Sequence, residues 1–264
     1  MSRGQFRMLR CARPGVEAVE AVSGHRFARH SHAQFGIGVI HRGAQKSASC
    51  RGLVEARAGD VLMVNPGEVH DGAPIGDQGR AWRMLYFDPA IVAAATRDIT
   101  QGRTGTCELV DPVMHDSRVA ARAAACFAAM TGDADDVRRD ELLLELIASV
   151  SRPREAAGIA PGPILPARQR IDDDPAAAVT LEELGRLCQL SRFQLIRAFM
   201  RATGLTPHAY IIQRRIDLAR RLIGGGLALA EAAADSGFAD QSHMTRAFTA
   251  RYGISPGAYA AAVA

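Results

Sequence analysis

Residues 237–248 read GFADQSHMTRAF, and this stretch decides how the last third of the chain folds. A shift of 49 positions places its RAF string, at 246–248, on a second RAF string at 197–199. The same shift places GISP at 253–256 on GLTP at 204–207. Internal similarity at a fixed offset indicates a duplicated structural unit. We therefore predict two copies of one helical module in this part of the chain.

Each copy has the pattern of two helices joined by a tight turn. In the first copy, Thr180 and Glu183 form a capping box that opens a helix, Ser191 caps a second helix, and Gly204 ends it. In the second copy, Asp240 caps the second helix in the same way. Outward polar residues on the second helix of such a pair are typical of a helix-turn-helix motif.

A further helix connects the two modules. Thr206 supplies its cap, Pro207 its first residue, and the triple glycine at 224–226 its end. About 17 residues at about 1.5 Å each give a spacer of roughly 25 Å. With the offsets of the helices themselves, this spacer could hold two recognition helices about one DNA turn apart, or about 34 Å.

Positive charge is concentrated in the same region. The whole chain carries a net charge of only +4, but positions 190–221 contain one acid, Asp217, and seven arginines. These are Arg192, Arg197, Arg201, Arg214, Arg215, Arg220 and Arg221. The cluster fits contact with a polyanion, and on charge alone it fits a solvated, salt-bridged helical face equally well.

The stretch from about 168 to 259 resembles the DNA-binding domain of the AraC-type (AraC/XylS) transcription regulators. The resemblance rests on the strings at 237–248 and 253–256, followed by Tyr259. The triple glycine departs from the family pattern and could loosen the joint before the second module. The resemblance implies eight outward, base-facing residues: Arg192, Phe193, Ile196 and Arg197 in the first recognition helix, and Gln241, Ser242, Thr245 and Arg246 in the second.

The side chains at these positions suit the edges of base pairs. An arginine can donate two hydrogen bonds to guanine, and Gln241 can pair with adenine. Phe193 and Ile196 can contact a thymine methyl group, or they can pack against the connecting helix. The remaining arginines are expected to contact phosphate or only solvent: Arg201, Arg214, Arg215 and Arg220.

Much of the chain before Asp111 has the pattern of short β-strands. Phe35, Ile37 and Val39 alternate with glycines, and glycine and proline punctuate the apolar runs at close intervals. This pattern is typical of a small sandwich or barrel. From Asp111, an N-cap followed by proline, the pattern becomes helical. The apolar stripe of a second helix at about 135–150 could pack on the strands or form a dimer contact.

The segment from about 25 to 90 resembles the cupin-like arm of the same family, a small β-barrel that usually senses a small molecule. The resemblance rests on HSH at 30–32, GD at 59–60 and NPGEVH at 65–70. It implies that the adjoining helical pair mediates dimerisation. The residues expected to contact an effector are His30, His32, His70, Trp82 and Tyr86, of which the last two could equally be plain core.

Three histidines could also form a metal site, as in catalytic cupins. The acidic ligand that such enzymes place shortly after the histidine pair is absent, because residues 34–36 are Gln, Phe and Gly. We therefore expect histidines that hydrogen-bond a ligand, and we predict no metal, no cofactor and no catalytic residue. Two alternative functions remain open. One is a metal-dependent cupin enzyme, which metal analysis of the purified protein would identify. The other is a nonspecific nucleic-acid-packaging protein, which would bind any duplex with similar affinity at fixed salt.

The chain is predicted to be a two-domain α+β protein. Its N-terminal domain, 1–150, is a cupin-like β-barrel with a helical pair, for effector binding and dimerisation. A linker rich in proline and glycine follows at 151–167. The C-terminal domain, 168–264, is all-α and contains two helix-turn-helix motifs.

Composition bounds the location and the partners. No apolar run is long enough to span a membrane, and no signal peptide is recognisable. We therefore expect a cytoplasmic protein. The cysteines have no metal-ligand spacing and are expected to be reduced and buried, with redox sensing as the alternative: Cys11, Cys50, Cys107, Cys126 and Cys188. The expected partners are double-stranded DNA, a small-molecule effector, a second copy in a homodimer, and RNA polymerase. The resemblance implies an activator and no enzyme activity.

Overall fold

The structure, a computed structural model, describes residues 5–49, 52–76, 78–153 and 162–263. The chain divides into two compact units: Met1–Phe27 with Ser31–Ala157, and Ala28–His30 with Gly158–Ala264. The strand that contains Ala28–His30 is hydrogen-bonded within a sheet of the first unit and is described there.

The described part of the first unit contains twelve strands in sheets of six, four and two. The six-stranded sheet has the order β1-β2-β9-β4-β7-β11, the four-stranded sheet the order β3-β8-β5-β6, and β10 pairs with β12. The strands are β1 (Gln5–Leu9), β2 (Val16–Ser23), β3 (Phe27–His30), β4 (Phe35–Arg42), β5 (Ala44–Ser49), β6 (Gly52–Arg57), β7 (Val61–Val64), β8 (His70–Pro74), β9 (Arg80–Phe87), β10 (Cys107–Leu109), β11 (Val113–Met114) and β12 (Ser151–Pro153).

Strand β9 lies in the middle of the larger sheet, between β2 and β4, and is buried on both faces. Leu85 and Phe87 belong to the core between the sheet and the helices, whereas Trp82 and Met84 belong to a second core on the opposite face. That second core also contains Ala56 of β6, so the smaller sheet covers this face. The alternation along β9 thus separates a helix-covered face from the interior of a barrel-like pair of sheets.

Two glycines of β4 make this arrangement possible. Gly36 and Gly38 pair with Tyr86 and Met84 of β9, and they face the interior. A Cβ atom on Gly38 would overlap both the Arg83 carbonyl oxygen and the Met84 sulfur. A side chain at this position therefore cannot coexist with the interior side chains of β9, which explains why apolar residues alternate with glycine along β4.

In the described part of this unit, three helices accompany the strands: α1 (Pro89–Ile99), α2 (Ser117–Thr131) and α3 (Asp136–Val150). In α3, Leu146, Ile147 and Val150 are completely buried in the core shared with the larger sheet. Packing against α1 and α2 within this core therefore explains the apolar stripe of the helix.

Two sequence-based expectations for this unit are wrong. The residues after Asp111 do not open a helix, because Val113–Met114 form β11 against β7, and the cap of α2 is Asp116, which accepts a hydrogen bond from the Arg118 amide at 2.8 Å. The second wrong expectation concerns helix α1, which lies in the region before Asp111 where the sequence pattern predicts short β-strands. It begins at Pro89, directly after its N-cap Asp88, a start signal of the same type as the one expected at Asp111.

The second unit is helical throughout its described secondary structure. Its helices are α4 (Leu165–Asp173), α5 (Leu181–Leu187), α6 (Arg192–Thr203), α7 (Pro207–Gly224), α8 (Leu229–Asp235), α9 (Gln241–Tyr252) and α10 (Pro256–Val263). Of the expected linker at 151–167, the first three residues form β12, residues 154–161 lie outside the described residues, and α4 begins at Leu165.

The helix ends of this unit follow the local signals in the sequence. Thr180 accepts a hydrogen bond from the Glu183 amide at 3.1 Å, and Thr206 caps α7 through the Ala209 amide. Gly204 ends α6 in the left-handed conformation, with φ of 74°. None of the described helices is long and apolar enough to cross a membrane.

Candidate nucleic-acid interface and small-molecule chamber

Helix α6 is held by its cap and by one buried face. Ser191 and Gln194 form a complete capping box, in which each side chain accepts a hydrogen bond from the other's backbone amide. Leu195 and Phe199 are completely buried, and the Phe199 ring meets the Tyr210 ring of α7 edge-on with centroids 5.6 Å apart. These contacts fix α6 so that its opposite face points outward.

The four residues expected on this outward face lie there. Arg192, Phe193 and Arg197 are exposed, and Ile196 is half-buried. Phe193 is 67% exposed, so it does not pack against the connecting helix. The guanidinium carbon of Arg197 lies 5.7 Å from the Phe193 ring centroid, within cation–π distance. The face therefore offers a cation next to a large apolar group.

Helix α9 repeats this construction with different outward residues. Asp240 accepts a hydrogen bond from the His243 amide at 2.6 Å, and Met244 and Phe248 are completely buried. The turn before it is fixed by Gly237, whose φ is 80° and whose Cβ, if present, would lie 2.6 Å from the Ala176 carbonyl oxygen. On the outward face Gln241, Ser242 and Arg246 are exposed and Thr245 is half-buried.

Two of the arginines expected to contact phosphate or solvent bind the protein instead. The Nε atom of Arg214 lies 2.8 Å from a carboxylate oxygen of Asp172, and Arg215 donates from Nε to the Pro175 carbonyl oxygen at 2.9 Å. They lie on the side of α7 that meets the end of α4 and the segment following it, where a carboxylate and backbone carbonyls need donors. Arg201 is exposed, so the outward positive charge comes from α6 more than from α7.

A buried polar network, which sequence reasoning missed, joins α7 to α9. Gln213 donates to Asp217 at 2.9 Å, and Arg251 of α9 donates to the Gln213 side-chain oxygen. The Tyr252 hydroxyl reaches the same Asp217 carboxylate at 3.4 Å. Burial raises the pKa of Asp217, while the nearby Arg214 guanidinium opposes that change. The available signal was that Asp217 is the single acid among the seven arginines.

The three histidines expected to contact an effector meet inside the first unit. One ring nitrogen from each of His30, His32 and His70 lies within 4.8 Å of the other two. We call these three residues the histidine cluster. The His32 ring centroid is 5.2 Å from that of His70 and 5.1 Å from that of Tyr86. The β3–β8 pairing brings the cluster together, because His30 ends β3 and His70 begins β8.

Hydrogen bonds orient two of these imidazoles. The Nδ1 atom of His30 lies 2.7 Å from the Ala28 carbonyl oxygen, and that of His70 lies 3.0 Å from the Glu68 carbonyl oxygen. A ring nitrogen that faces a carbonyl carries the proton, so the lone pair of a neutral ring lies on Nε2. Burial lowers the pKa of His70, which favours the neutral ring. Such rings can accept hydrogen bonds or ligate a transition metal, and no carboxylate joins the cluster among the described residues.

Trp82 lies apart from the histidine cluster, in a second group of rings. Its ring centroid is 5.7 Å from that of Phe6 and 6.3 Å from that of Phe27, with the rings nearly perpendicular. The guanidinium carbon of Arg80 lies over Trp82, 4.6 Å from the ring centroid. We call Phe6, Phe27, Arg80 and Trp82 the arginine–aromatic cluster. Arg80 was not predicted, because its position before an alternating strand resembles that of an ordinary surface charge.

Two of the cysteines are poorly suited to redox sensing, which requires a thiol with a low pKa. Burial raises the pKa of Cys11 to about 11 and that of Cys126 to about 12, so both thiols stay protonated near neutral pH. Cys107 and Cys188 are half-buried, and Cys50 lies outside the described residues.

Comparison with known proteins connects both parts of this architecture to regulators. Residues 13–147 match the family model described as AraC-like ligand binding domain, and residues 184–262 match one described as a helix-turn-helix domain. The chain is 27% identical to the uncharacterized HTH-type transcriptional regulator YbfI of Bacillus subtilis over 225 residues. These residues make up 83% of this chain and 82% of YbfI.

Two further relatives extend the comparison. The transcriptional activator NphR of Rhodococcus sp is 33% identical over 84 residues, which are 31% of this chain and 25% of NphR. The structure of unsaturated fatty acid-bound ToxT from Vibrio cholerae aligns with a TM-score of 0.57 and 11% identity, covering 98% of this chain and 95% of that one. At that identity the similarity to ToxT demonstrates a shared fold.

The matches agree with the geometry of both units. The ligand-binding family model alone covers just over half of the chain, and the helix-turn-helix model covers the two modules whose outward faces are described above. The chain therefore belongs to the AraC family of transcription regulators, as a DNA-binding regulator with a β-rich ligand-binding domain and a helical DNA-binding domain.

Proposed function

We propose that this regulator reads two adjacent major-groove segments, one with α6 and one with α9. The observation that carries the proposal is that both helices are capped and buried on one face, while Arg192 and Arg197, like Gln241 and Arg246, are exposed on the other. Arginine and glutamine are side chains that distinguish base pairs in the major groove. Because the two faces differ, one molecule should prefer an asymmetric site.

The proposal extends to a small-molecule effector in the barrel. Inside the barrel, the histidine cluster and Tyr86 supply hydrogen-bonding groups, and the separate group of rings around Trp82 supplies an apolar wall, as ligand sites generally require. ToxT, which shares the fold, has been solved with an unsaturated fatty acid bound. An effector would act by favouring one of two states that differ in DNA affinity.

The same proposal includes the partners of an AraC-type activator. NphR is an activator, which supports activation here, and an activator must engage RNA polymerase near the promoter. We also propose a homodimer, since paired copies bind two sites with more affinity than one. A regulator of this kind acts in the cytoplasm, where its DNA is.

Selection from a random duplex pool tests the function directly. The full chain is used to select its preferred duplex, and fluorescence anisotropy then compares that duplex with a shuffled one at fixed salt. We expect the selected duplex to bind at least about 1,000-fold more tightly, which is the range of specific regulators. Equal affinities would instead identify a nonspecific packaging protein.

Metal analysis addresses the cupin-enzyme alternative. Protein purified without an affinity tag should hold no stoichiometric transition metal, and dialysis against a chelator should leave its affinity for the selected duplex unchanged. A stoichiometric metal that is lost when His70 is replaced by glutamine would favour the enzyme alternative.

A further inference from the structure

The arginine–aromatic cluster contains a positive charge that is almost wholly removed from solvent. Arg80 is only 1% exposed and is among the largest fully buried side chains of the described residues. It begins β9 in the same alternating register as Trp82 and Met84, which places it on the interior face of that strand. Its guanidinium lies over Trp82 and within 5.8 Å of the Phe27 ring centroid.

The acceptors that Arg80 finds in the protein are neutral. Its Nε donates to the Gln45 side-chain oxygen at 2.7 Å, and Nη1 donates to the His25 carbonyl oxygen at 3.1 Å. The Gln45 amide is itself oriented by a 2.8 Å hydrogen bond to Ser47. No carboxylate lies within ion-pair distance of Arg80 in the part of the chain that is described, and burial alone lowers its pKa to about 10.

A buried charge without a counter-charge is unusual in a folded protein. Burying a guanidinium is unfavourable unless an anion and a full set of hydrogen bonds compensate it. Here two of the three nitrogens have acceptors, while Nη2 donates to no acceptor among the described residues. Nη2 faces Gly72 of β8, which has no side chain to cover this nitrogen, and a Cβ atom there would lie 3.5 Å from Nη2.

The walls around this charge are mostly apolar rings, with the exposed His25 ring next to Phe6 and Phe27. Phe6, Phe27 and Trp82 meet one another edge-on, with centroid separations of 5.7 to 6.3 Å. Phe6 and Phe27 are only partly buried, so the ring cluster reaches the surface of the unit. A ligand that enters here would meet ring edges first and the Arg80 guanidinium at the end, which suits an apolar body with one anionic group.

We propose that the effector of this regulator is a small monocarboxylate whose carboxylate binds Arg80 and whose apolar body packs against Phe6, Phe27 and Trp82. The proposal rests on the proposed effector function of the barrel and specifies its chemical class. A single negative charge matches the single uncompensated positive charge, whereas a phosphate dianion would leave one charge buried without a partner. A carboxylate also fits the planar donor arrangement of a guanidinium.

Trp82 provides a direct readout, because it is the only tryptophan of the chain. The full chain is titrated with benzoate, phenylacetate, hexanoate and decanoate, and in parallel with the corresponding primary amides, which have nearly the same shape and no charge. We expect at least one carboxylate to change the Trp82 emission saturably and to bind at least about tenfold more tightly than its amide. The amide series controls for binding that depends only on the apolar body.

Two variants locate the carboxylate. Arg80→Met should weaken carboxylate binding at least about tenfold, because it removes the charge and keeps an apolar side chain of comparable length. Arg83→Met is the matched control, since Arg83 lies on the other face of β9, exposed and paired with Glu20. Circular dichroism melting of both variants without ligand verifies that they fold. If Arg80→Met does not fold, two other measurements test the proposal. They are carboxylate binding by Arg80→Lys and the carboxylate–amide comparison in the unchanged protein.

Several results would overturn the proposal. Amides that bind as tightly as carboxylates would remove the need for a charge, and unchanged binding by Arg80→Met would place the carboxylate elsewhere. A lack of response to all four carboxylates would also overturn it. If neutral compounds alter Trp82 emission and DNA affinity while carboxylates do not, the monocarboxylate proposal fails and the effector function stands. If no compound changes Trp82 emission or DNA affinity, both the monocarboxylate proposal and the proposed effector function fail. DNA binding itself is measured separately.

Discussion

At the scale of single residues, the two helix-turn-helix modules share their packing residues and differ in their outward ones. Phe199 and Phe248 are equivalent and completely buried, so their repetition reflects the same core in each copy. Of the four equivalent outward pairs, only Arg197 and Arg246 are the same residue. Under the proposed function, the shared arginine can bind a guanine in both half-sites, while the other positions would make the half-sites different.

Arg246→Ala tests this assignment. Arg246 is exposed on α9 and engages no described residue through an ion pair, so its removal should leave the fold unchanged. We expect the variant to lose about 1–3 kcal/mol of affinity for the selected duplex and to tolerate any base at one position, because one bidentate contact is gone. Anisotropy with the selected duplex and its single-base variants measures both effects.

The control for Arg246→Ala is Arg118→Ala, which removes the same charge from an exposed position on α2 of the other unit. It should leave affinity and base preference unchanged. Equal binding by Arg246→Ala and the unchanged protein would remove Arg246 from the interface.

At the scale of elements, local signals predicted the helix ends of the second unit well. The caps at Ser191 and Asp240 and the left-handed glycine at 204 depend on neighbours within a few residues, so the sequence contains all the information they need. The start at Asp111 failed because β11 forms through pairing with β7, and β7 lies about fifty residues earlier in the chain. Pairing at that distance has no local signature.

The candidate sites show the same limit. The HSH string at 30–32 identified candidate ligands, but the distance between His30 and His70 depends on the β3–β8 pairing. Arg80 and Asp217 could not be placed, since charged residues are usually exposed and only the packed elements decide which of them are buried. The structure therefore adds the buried charges, whereas the sequence already predicts which residues of α6 and α9 are exposed.

The packing of α7 against α9 depends on Asp217 and can be tested by substitution. Asp217→Ala should lower the free energy of unfolding by about 3 kcal/mol, because it leaves Gln213 and Arg214 without the buried acceptor that they share. Asp217→Asn keeps an acceptor without the buried charge, so its loss should be smaller. Urea unfolding followed by far-ultraviolet circular dichroism measures both.

The matched control is Asp173→Ala, at an exposed position at the end of α4. Its free energy of unfolding should change by no more than about 0.5 kcal/mol, as for most surface substitutions. If Asp217→Ala were as stable as this control, the network would not hold α9 in place.

The interior of the barrel depends on Gly38 in a comparable way. Gly38→Ala should destabilise the first unit by about 1–3 kcal/mol or more, because the added methyl group overlaps the Arg83 backbone and the Met84 side chain. Gly24→Ala is the control, since nothing lies within 4 Å of a Cβ atom there. Trp82 emission in urea reports on this unit alone, because Trp82 is the only tryptophan. Equal midpoints for the two variants would contradict the close approach of β4 and β9.

At the scale of the whole molecule, the two proposed recognition helices, α6 and α9, are both attached to one continuous helix, α7. We call α6 and α9 the two readers. α7 has 18 residues and is about 27 Å long at about 1.5 Å per residue. Tyr210 of α7 packs against α6, and Gln213 of α7 binds Arg251 of α9, so both readers are attached to the same helix. The triple glycine lies at the end of α7, before α8, and could have loosened the second module. The Gln213–Arg251 contact bypasses that joint, because it links α9 to the first half of α7.

A rigid pair of readers requires a fixed spacing in the DNA. Inserting about five base pairs, half a helical turn, between the two half-sites turns one of them to the opposite face of the duplex. We therefore expect the affinity measured by anisotropy to fall by at least about tenfold, to that of a single half-site. An insertion of about ten base pairs, a full turn, restores the face but doubles the distance. Because α7 cannot lengthen, this duplex should bind no better than the first. The control duplex carries the same extra base pairs outside the site and should bind normally. Full recovery at a full turn would mean that the modules move independently about the triple glycine, and the attachment of α9 through Gln213 would then be wrong.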